Sequence, residues 1–358
     1  MTDVLDGAQA PRQGEELDLS RLEPYLREHI PQIQAPLEVE QFPSGFSNLT
    51  YLLRSGEFEC VLRRPPFGNR VKTAHDMGRE YTVLSRLSAV YAPAPKPFVH
   101  CEDEDILGAP FYVMERRRGL ILRKGPPAGV PFDEDVAGKL CEAFIDNFAT
   151  LHTLDLEAAG LQDFGKPEGY VERQVEGWIR RYERAKTDEW AELDSVATWL
   201  RANRPSDEGS PRVGLIHNDY KYDNMLLDPE DITRIVAVLD WEMCTIGDPL
   251  MDLGSTLAYW AESTDHPAFQ AYGVGPTAAP GSFTRRQLAD RYAEKTGFDT
   301  SHLTFYFAYG LYKLAGIVQQ IYYRFKKGHT QDPRFAQLDQ MVRLLGQVAA
   351  GAIEHDRV

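Results

Sequence analysis

The feature that most limits how this chain can fold is a change in the spacing of its apolar residues. Between Leu37 and Arg64 they fall into three short alternating or apolar runs, Leu37 to Phe42, Leu49 to Arg54 and Phe58 to Arg64, separated by SGFSN and SGE. Such runs with turn-forming residues between them predict an antiparallel meander. Residues 74 to 90 return to helical spacing with Met77, Tyr81, Leu84 and Leu87 on one stripe, and two further strand-like runs follow, Pro97 to Cys101 and Phe111 to Glu115. The first ~115 residues therefore read as a five-stranded sheet with one inserted helix.

After the Arg-, Gly- and Pro-rich stretch from Arg116 to Pro131, the period becomes mainly helical. Helical patterns cover 133 to 154, 168 to 185, 188 to 203, 248 to 260, 284 to 296, 302 to 326 and 332 to 354, interrupted by strand-like runs at Val213 to His217 and Ile235 to Leu239. This divides the chain into a polar tail at 1–14 that is expected to be disordered, an N-terminal nucleotide-binding lobe at 15–115, a hinge and linker at 116–131, and a C-terminal catalytic and substrate-binding lobe at 132–358. The N-terminal lobe opens with a short amphipathic helix that ends at Pro31. No repeat of 20 to 50 residues is visible.

Composition narrows the function. A formal charge of −15 argues against a duplex nucleic-acid binder, which needs a basic footprint to displace counterions. Cys60, Cys101, Cys141 and Cys244 lie far apart without a CxxC pair, so neither a zinc site nor a redox dithiol is signalled. The acidic N-terminus lacks a secretory pattern, and no run approaches the roughly 20 apolar residues of a membrane span. The expectation is a cytoplasmic protein with no membrane partner.

The chemistry concentrates near one stretch. Asp219 and Asn224 sit five apart in a polar segment between two strand-like runs, and Asp240 ends the second run. A turn between such strands is expected to bring the three together. Phosphoryl transfer requires an in-line hydroxyl, neutralisation of phosphate charge and a base for the hydroxyl proton. Magnesium takes hard oxygen ligands, usually one or two from protein. Asp240 and Asn224 suit the metal, which leaves Asp219 as the base.

The run His217-Asn218-Asp219-Tyr220-Lys221-Tyr222-Asp223-Asn224 resembles the H-x-D-x-x-x-x-N loop of kinases. Asp240-Trp241-Glu242 and the segment Gly247-Asp248-Pro249-Leu250-Met251-Asp252-Leu253 resemble the corresponding motifs of the aminoglycoside phosphotransferase and choline kinase-like family. That resemblance implies an α+β, protein-kinase-like two-lobe fold and use of ATP and Mg2+. It makes His217 a brace of the loop rather than a proton carrier. Lys221 is either a contact to the transferring phosphate or a solvated lysine.

In the N-terminal lobe, Ser44 to Leu49 resembles the nucleotide-covering loop, with Gly45, Ser47 and Asn48 as candidates. Arg63 stands where kinases usually place a phosphate-binding lysine, and Glu80 stands as its ion-pair partner. Alternation favours Arg63 over Arg64 because it shares a face with Val61, although arginine does not reproduce the reach of lysine. Met114 and Glu115 resemble the strand end and hinge that meet the adenine; a core methionine is the other reading of Met114.

The runs SGFSNLTYLL, VLRRPP, AHDMGREYTVL and GAPFYVMERRRG resemble the phosphotransferase-like domain found with acyl-CoA dehydrogenases. This implies a small-molecule acceptor, a hydroxyacyl-CoA or related alcohol, and a functional link to an acyl-CoA dehydrogenase. Arg116, Arg117, Arg118, Arg123, Lys124, Arg324, Lys326 and Lys327 are candidates for CoA phosphates. Tyr306, Tyr309, Tyr312, Tyr322 and Tyr323 are candidates for an acyl pocket, or else ordinary core. An aminoglycoside or amino-alcohol kinase, and a nucleotide-binding module without catalysis, are the competing expectations.

Overall fold

The computed structural model describes residues 7–43, 48–67, 76–126, 129–205, 212–330 and 332–358. The chain divides into two compact units. One comprises Met1–Ile121, Ala158–Leu161 and Asn224–Cys244; the other comprises Leu122–Glu157, Gln162–Asp223 and Thr245–Val358.

The first unit is built on an antiparallel sheet of β1 (Glu38–Gln41), β2 (Leu49–Ser55), β3 (Phe58–Arg64), β4 (Pro97–Cys101) and β5 (Phe111–Glu115), in the order β1-β2-β3-β5-β4. Successive side chains of a strand point to opposite faces. One face carries Tyr51, Leu53, Cys60, Leu62, Phe111 and Val113 into a core shared with Leu22 and Leu26 of α1 (Leu19–His29). The opposite face carries Val61, Arg63, Tyr112 and Met114, and α2 (Met77–Leu87) packs against β4 and β5. Asp76 caps α2 by accepting from the Arg79 N–H, which satisfies one of the open donors of the first turn. A one-turn helix, α3 (Glu104–Leu107), lies between β4 and β5.

The second unit is mainly helical: α4 (Glu134–His152), α5 (Tyr170–Ala185), α6 (Ala191–Ala202), α7 (Pro249–Ala258), α8 (Pro267–Tyr272), α9 (Arg285–Thr296), α10 (Leu303–Lys326) and α11 (Leu338–His355). α10 lies at its centre, against α5, α6, α7 and α11. Its contact with α7 depends on two glycines. A Cβ on Gly254 would run into the Tyr306 carbonyl, and one on Gly310 into the Gly254 carbonyl. Glycine at both positions lets the two backbones approach closely.

The strands around the polar segment pair differently from expectation. β6 (Gly214–Ile216) pairs with β9 (Thr245–Gly247), and β7 (Met225–Leu227) pairs with β8 (Ile235–Val238). The two strand-like runs therefore do not pair with each other. Each partners a three-residue strand whose hydrophobic pattern is too short to register a period. β6 and β9 belong to the second unit; β7 and β8 belong to the first.

Candidate active site

In the first unit, Arg63 and Glu80 face each other from β3 and α2. Glu80 is 1% exposed and Arg63 8%. Arg63 Nη1 donates to Glu80 Oε1, and its Nη2 donates to Asp240 Oδ1 at 3.1 Å. Glu80 Oε1 also accepts from the Trp241 N–H at 3.3 Å, which ties α2 to the turn carrying Asp240. Tyr112, the cross-strand neighbour of Arg63, is fully buried beside the pair.

Burial opposes charge on Arg63, but Glu80, Tyr112 and Asp240 outweigh it and hold the guanidinium firmly cationic. Burial pushes the Glu80 carboxyl above the ordinary carboxylate range, with Arg63 pulling the other way. Arg64 points to the opposite face, where its Nη1 donates to the Leu107 carbonyl at 2.9 Å. The geometry therefore joins Arg63, and not Arg64, to Glu80.

Asp240 follows β8 with φ of 66°. This left-handed conformation is uncommon for residues other than glycine and turns the chain sharply at the strand end. The Leu239 N–H donates to the Asn224 carbonyl at 2.8 Å, so the β7–β8 pairing brings the two candidate metal ligands into one local structure. A partly exposed carboxylate and a side-chain amide are hard oxygen donors of the type magnesium accepts, with phosphate and water completing its shell. Two residues on, Glu242 Oε2 accepts from Asn48 Nδ2 at 2.8 Å. Gly45 and Ser47 lie outside the described residues.

Met114 is buried, opposite Val61 across the sheet. Glu115 donates its N–H to the Lys96 carbonyl, while its carboxylate accepts from Lys96 N and Arg117 Nε. Of the neighbouring basic residues, Arg118 pairs with Glu59, and Arg116 lies over the Phe42 ring at 4.8 Å.

In the second unit, His217 is fully buried and its Nδ1 accepts from the Asp219 N–H at 3.3 Å. The imidazole thus braces the turn. Asn218 is left-handed, with φ of 67°. Lys221 Nζ donates to Asp219, 2.9 Å from each carboxylate oxygen, and lies 3.8 Å from Asp223 Oδ1. Burial disfavours the Lys221 ammonium, but Tyr259, Asp219 and Asp223 raise its pKa above the ordinary value. Burial also raises the Asp223 carboxyl.

Two residues that hold this loop went unassigned in the sequence. Asp252 of α7 is fully buried; it accepts from His217 N at 2.6 Å and from Asn218 N at 2.9 Å. His152 Nε2 also lies 3.1 Å from Asp252, and the other ring nitrogen is 2.7 Å from the Tyr292 hydroxyl. Because the carboxylate only accepts, Nε2 carries the proton. Burial would raise the Asp252 carboxyl, yet His152, His217 and Lys313 together hold it below the ordinary range. Lys313 of α10 donates to the Asn218 carbonyl at 2.9 Å. Asp252 lies inside the motif already noted, so its spacing was a usable signal; Lys313, nearly a hundred residues away on an apolar helix, offered none.

The proposed acyl-pocket tyrosines are largely core: Tyr306, Tyr309 and Tyr312 are at most 2% exposed. They lie on the face of α10 that packs against other helices, where aromatic side chains bury large areas.

Residues 38–290 match the profile of the phosphotransferase enzyme family. The chain is 34% identical over 320 residues to acyl-CoA dehydrogenase family member 11 of Rattus norvegicus, covering 87% of this chain and 40% of that protein. It therefore spans about two fifths of the length of this curated relative. Among solved structures, a putative aminoglycoside phosphotransferase from Ralstonia eutropha is similar with a TM-score of 0.80 and 28% identity, over 95% of this chain and 99% of that one. A thermostable aminoglycoside phosphotransferase mutant in ternary complex with ADP and hygromycin B shares the fold, with a TM-score of 0.59 and 16% identity over 92% and 99% of the two chains.

Proposed function

This chain belongs to the phosphotransferase enzyme family, and on that premise we propose that it is an ATP- and magnesium-dependent kinase acting on a hydroxyl of a small molecule. The observation that carries the reading is the buried Arg63 guanidinium, bonded at once to Glu80 and to the candidate metal ligand Asp240. A structural ion pair needs only two partners. A cation that also orients a partly exposed carboxylate suits a site for a metal-bound polyphosphate.

In this reading Asp219 accepts the proton of the acceptor hydroxyl as its oxygen bonds to the γ-phosphorus. The bond from phosphorus to the bridging oxygen breaks, and ADP leaves with that electron pair. Lys221 orients Asp219, and His217 and Asp252 fix the backbone beneath it. Asp240 and Asn224 would hold magnesium, which when bound neutralises phosphate charge. Asn48, Gly45 and Ser47 are proposed for the phosphates, Met114 and Glu115 for the base.

For the acceptor, we favour a hydroxyacyl-CoA or similar fatty-acid-derived alcohol. The curated relative is named as an acyl-CoA dehydrogenase family member, which supports this class and a functional link to such a dehydrogenase. The Ralstonia structure, named a putative aminoglycoside phosphotransferase, favours the second reading of an aminoglycoside or amino-alcohol acceptor. An ATP-consumption screen across hydroxyacyl-CoAs, aminoglycosides and amino alcohols, with Asp219→Asn protein as blank, separates them. Consumption stimulated by an aminoglycoside alone would overturn the CoA assignment, and absence of MgATP binding by calorimetry would overturn the kinase reading.

A further inference from the structure

α7 meets the loop around Asp219 along one face. Asp252, Thr256 and Tyr259 are spaced four and three apart, which stacks their side chains on one side of the helix and its end. Their contacts follow the loop in order. Asp252 holds the N–H groups of His217 and Asn218, and Thr256 Oγ1 donates to the Tyr220 carbonyl at 3.0 Å. Tyr259, the residue that caps α7, sets its ring against the Lys221 ammonium.

Lys221 Nζ lies 4.8 Å from the centre of the Tyr259 ring, within range of the attraction between an ammonium and an aromatic face. Burial and the nearby Asp219 carboxylate raise the Tyr259 phenol above its ordinary range. The Tyr259 backbone is fixed as well, its N–H on the Thr256 carbonyl at 3.1 Å and its carbonyl accepting from Val274 N at 3.3 Å. Lys221 has two carboxylates in range, Asp219 at 2.9 Å and Asp223 at 3.8 Å. The ring face beside the ammonium favours one of those two arrangements.

We infer, resting on Asp219 as the base, that Tyr259 is a positioning residue that holds Lys221 beside Asp219 through its ring face. α7 is then a three-point template for the loop, with Tyr259 the point that acts on a side chain rather than on backbone.

Trace acylation of lysines in the whole chain, followed peptide by peptide by mass spectrometry, tests this without any acceptor. Lys221 should react more slowly than exposed lysines, and Asp219→Asn and Tyr259→Leu should each speed its acylation, the latter about five-fold. Tyr259→Phe keeps the ring and should leave the rate close to wild type. An unchanged Lys221 rate in Tyr259→Leu, alongside a faster one in Asp219→Asn, would overturn the inference. In turnover, Tyr259→Leu should lower kcat about five-fold with the KM for MgATP unchanged. Where Tyr259→Leu fails to fold, Tyr259→Gln takes its place with the same expected outcomes, and a wild-type kcat and Lys221 rate in it would remove the ring from its role. Failure of the kinase reading appears separately, as no MgATP binding, and leaves the labelling pattern intact.

Discussion

The Arg63 guanidinium is buried against the Glu80 carboxylate, with Nη1 donating to Oε1 across the gap from β3 to α2. Arginine supplies a second N–H group that reaches Asp240, which a single ammonium at the Glu80 position would not reproduce in the same geometry. MgATP affinity, measured by calorimetry, should fall in the order wild type, Arg63→Lys, Arg63→Ala. Glu80→Ala should cost much less affinity in the Arg63→Ala background than alone, since residues sharing one interaction are not additive. Full additivity, or wild-type affinity in Arg63→Ala, would remove Arg63 from the nucleotide site.

Asp240→Ala removes the proposed principal metal ligand and one partner of Arg63. Magnesium-supported nucleotide binding and activity should weaken together, with Asn224→Ala acting in the same direction but less strongly. Magnesium titrations of nucleotide binding are the measurement. Unchanged MgATP binding in Asp240→Ala would place the metal elsewhere.

Asp219→Asn keeps the shape of the side chain and removes its basicity. Turnover should drop about 10²–10⁴-fold, the usual range for a general base, with MgATP affinity nearly unchanged because the base acts on the acceptor. Single-turnover kinetics beside calorimetry separate the two, and full turnover in this variant would exclude the role.

Asp252→Ala leaves two backbone N–H groups and His152 without their buried acceptor. Denaturant unfolding should show a loss of about 3 kcal/mol. The carboxyl is held below its ordinary range in the folded chain, so its contribution is present above the unfolded value of about 3.9 and is lost as pH falls through the lower folded value. The stability difference between wild type and Asp252→Asn should therefore narrow below about pH 4. A difference that is constant from neutral pH to that region would mean Asp252 contributes through shape alone.

Much of this arrangement was legible in local patterns. Alternation in β3 assigned Arg63 and Arg64 to opposite faces because strand geometry has a strict period of two, and the structure joins Arg63 to Glu80 and Arg64 to the Leu107 carbonyl. The helical spacing from 302 to 326 likewise marked out α10, and of the two readings open for Tyr306, Tyr309 and Tyr312 their burial favours core. What only the tertiary structure decided are contacts between residues far apart in the chain. Three-residue strands β7 and β9 carry no readable period, so the pairings β7–β8 and β6–β9 could not be told from a single strand-loop-strand. The grip of Asp252, Thr256, Tyr259 and Lys313 on the loop depends on where α7 and α10 cross, and that crossing is set by the close approach at Gly254 and Gly310. Hydrophobic period fixes which way a side chain faces; which distant group it then meets is a matter of packing.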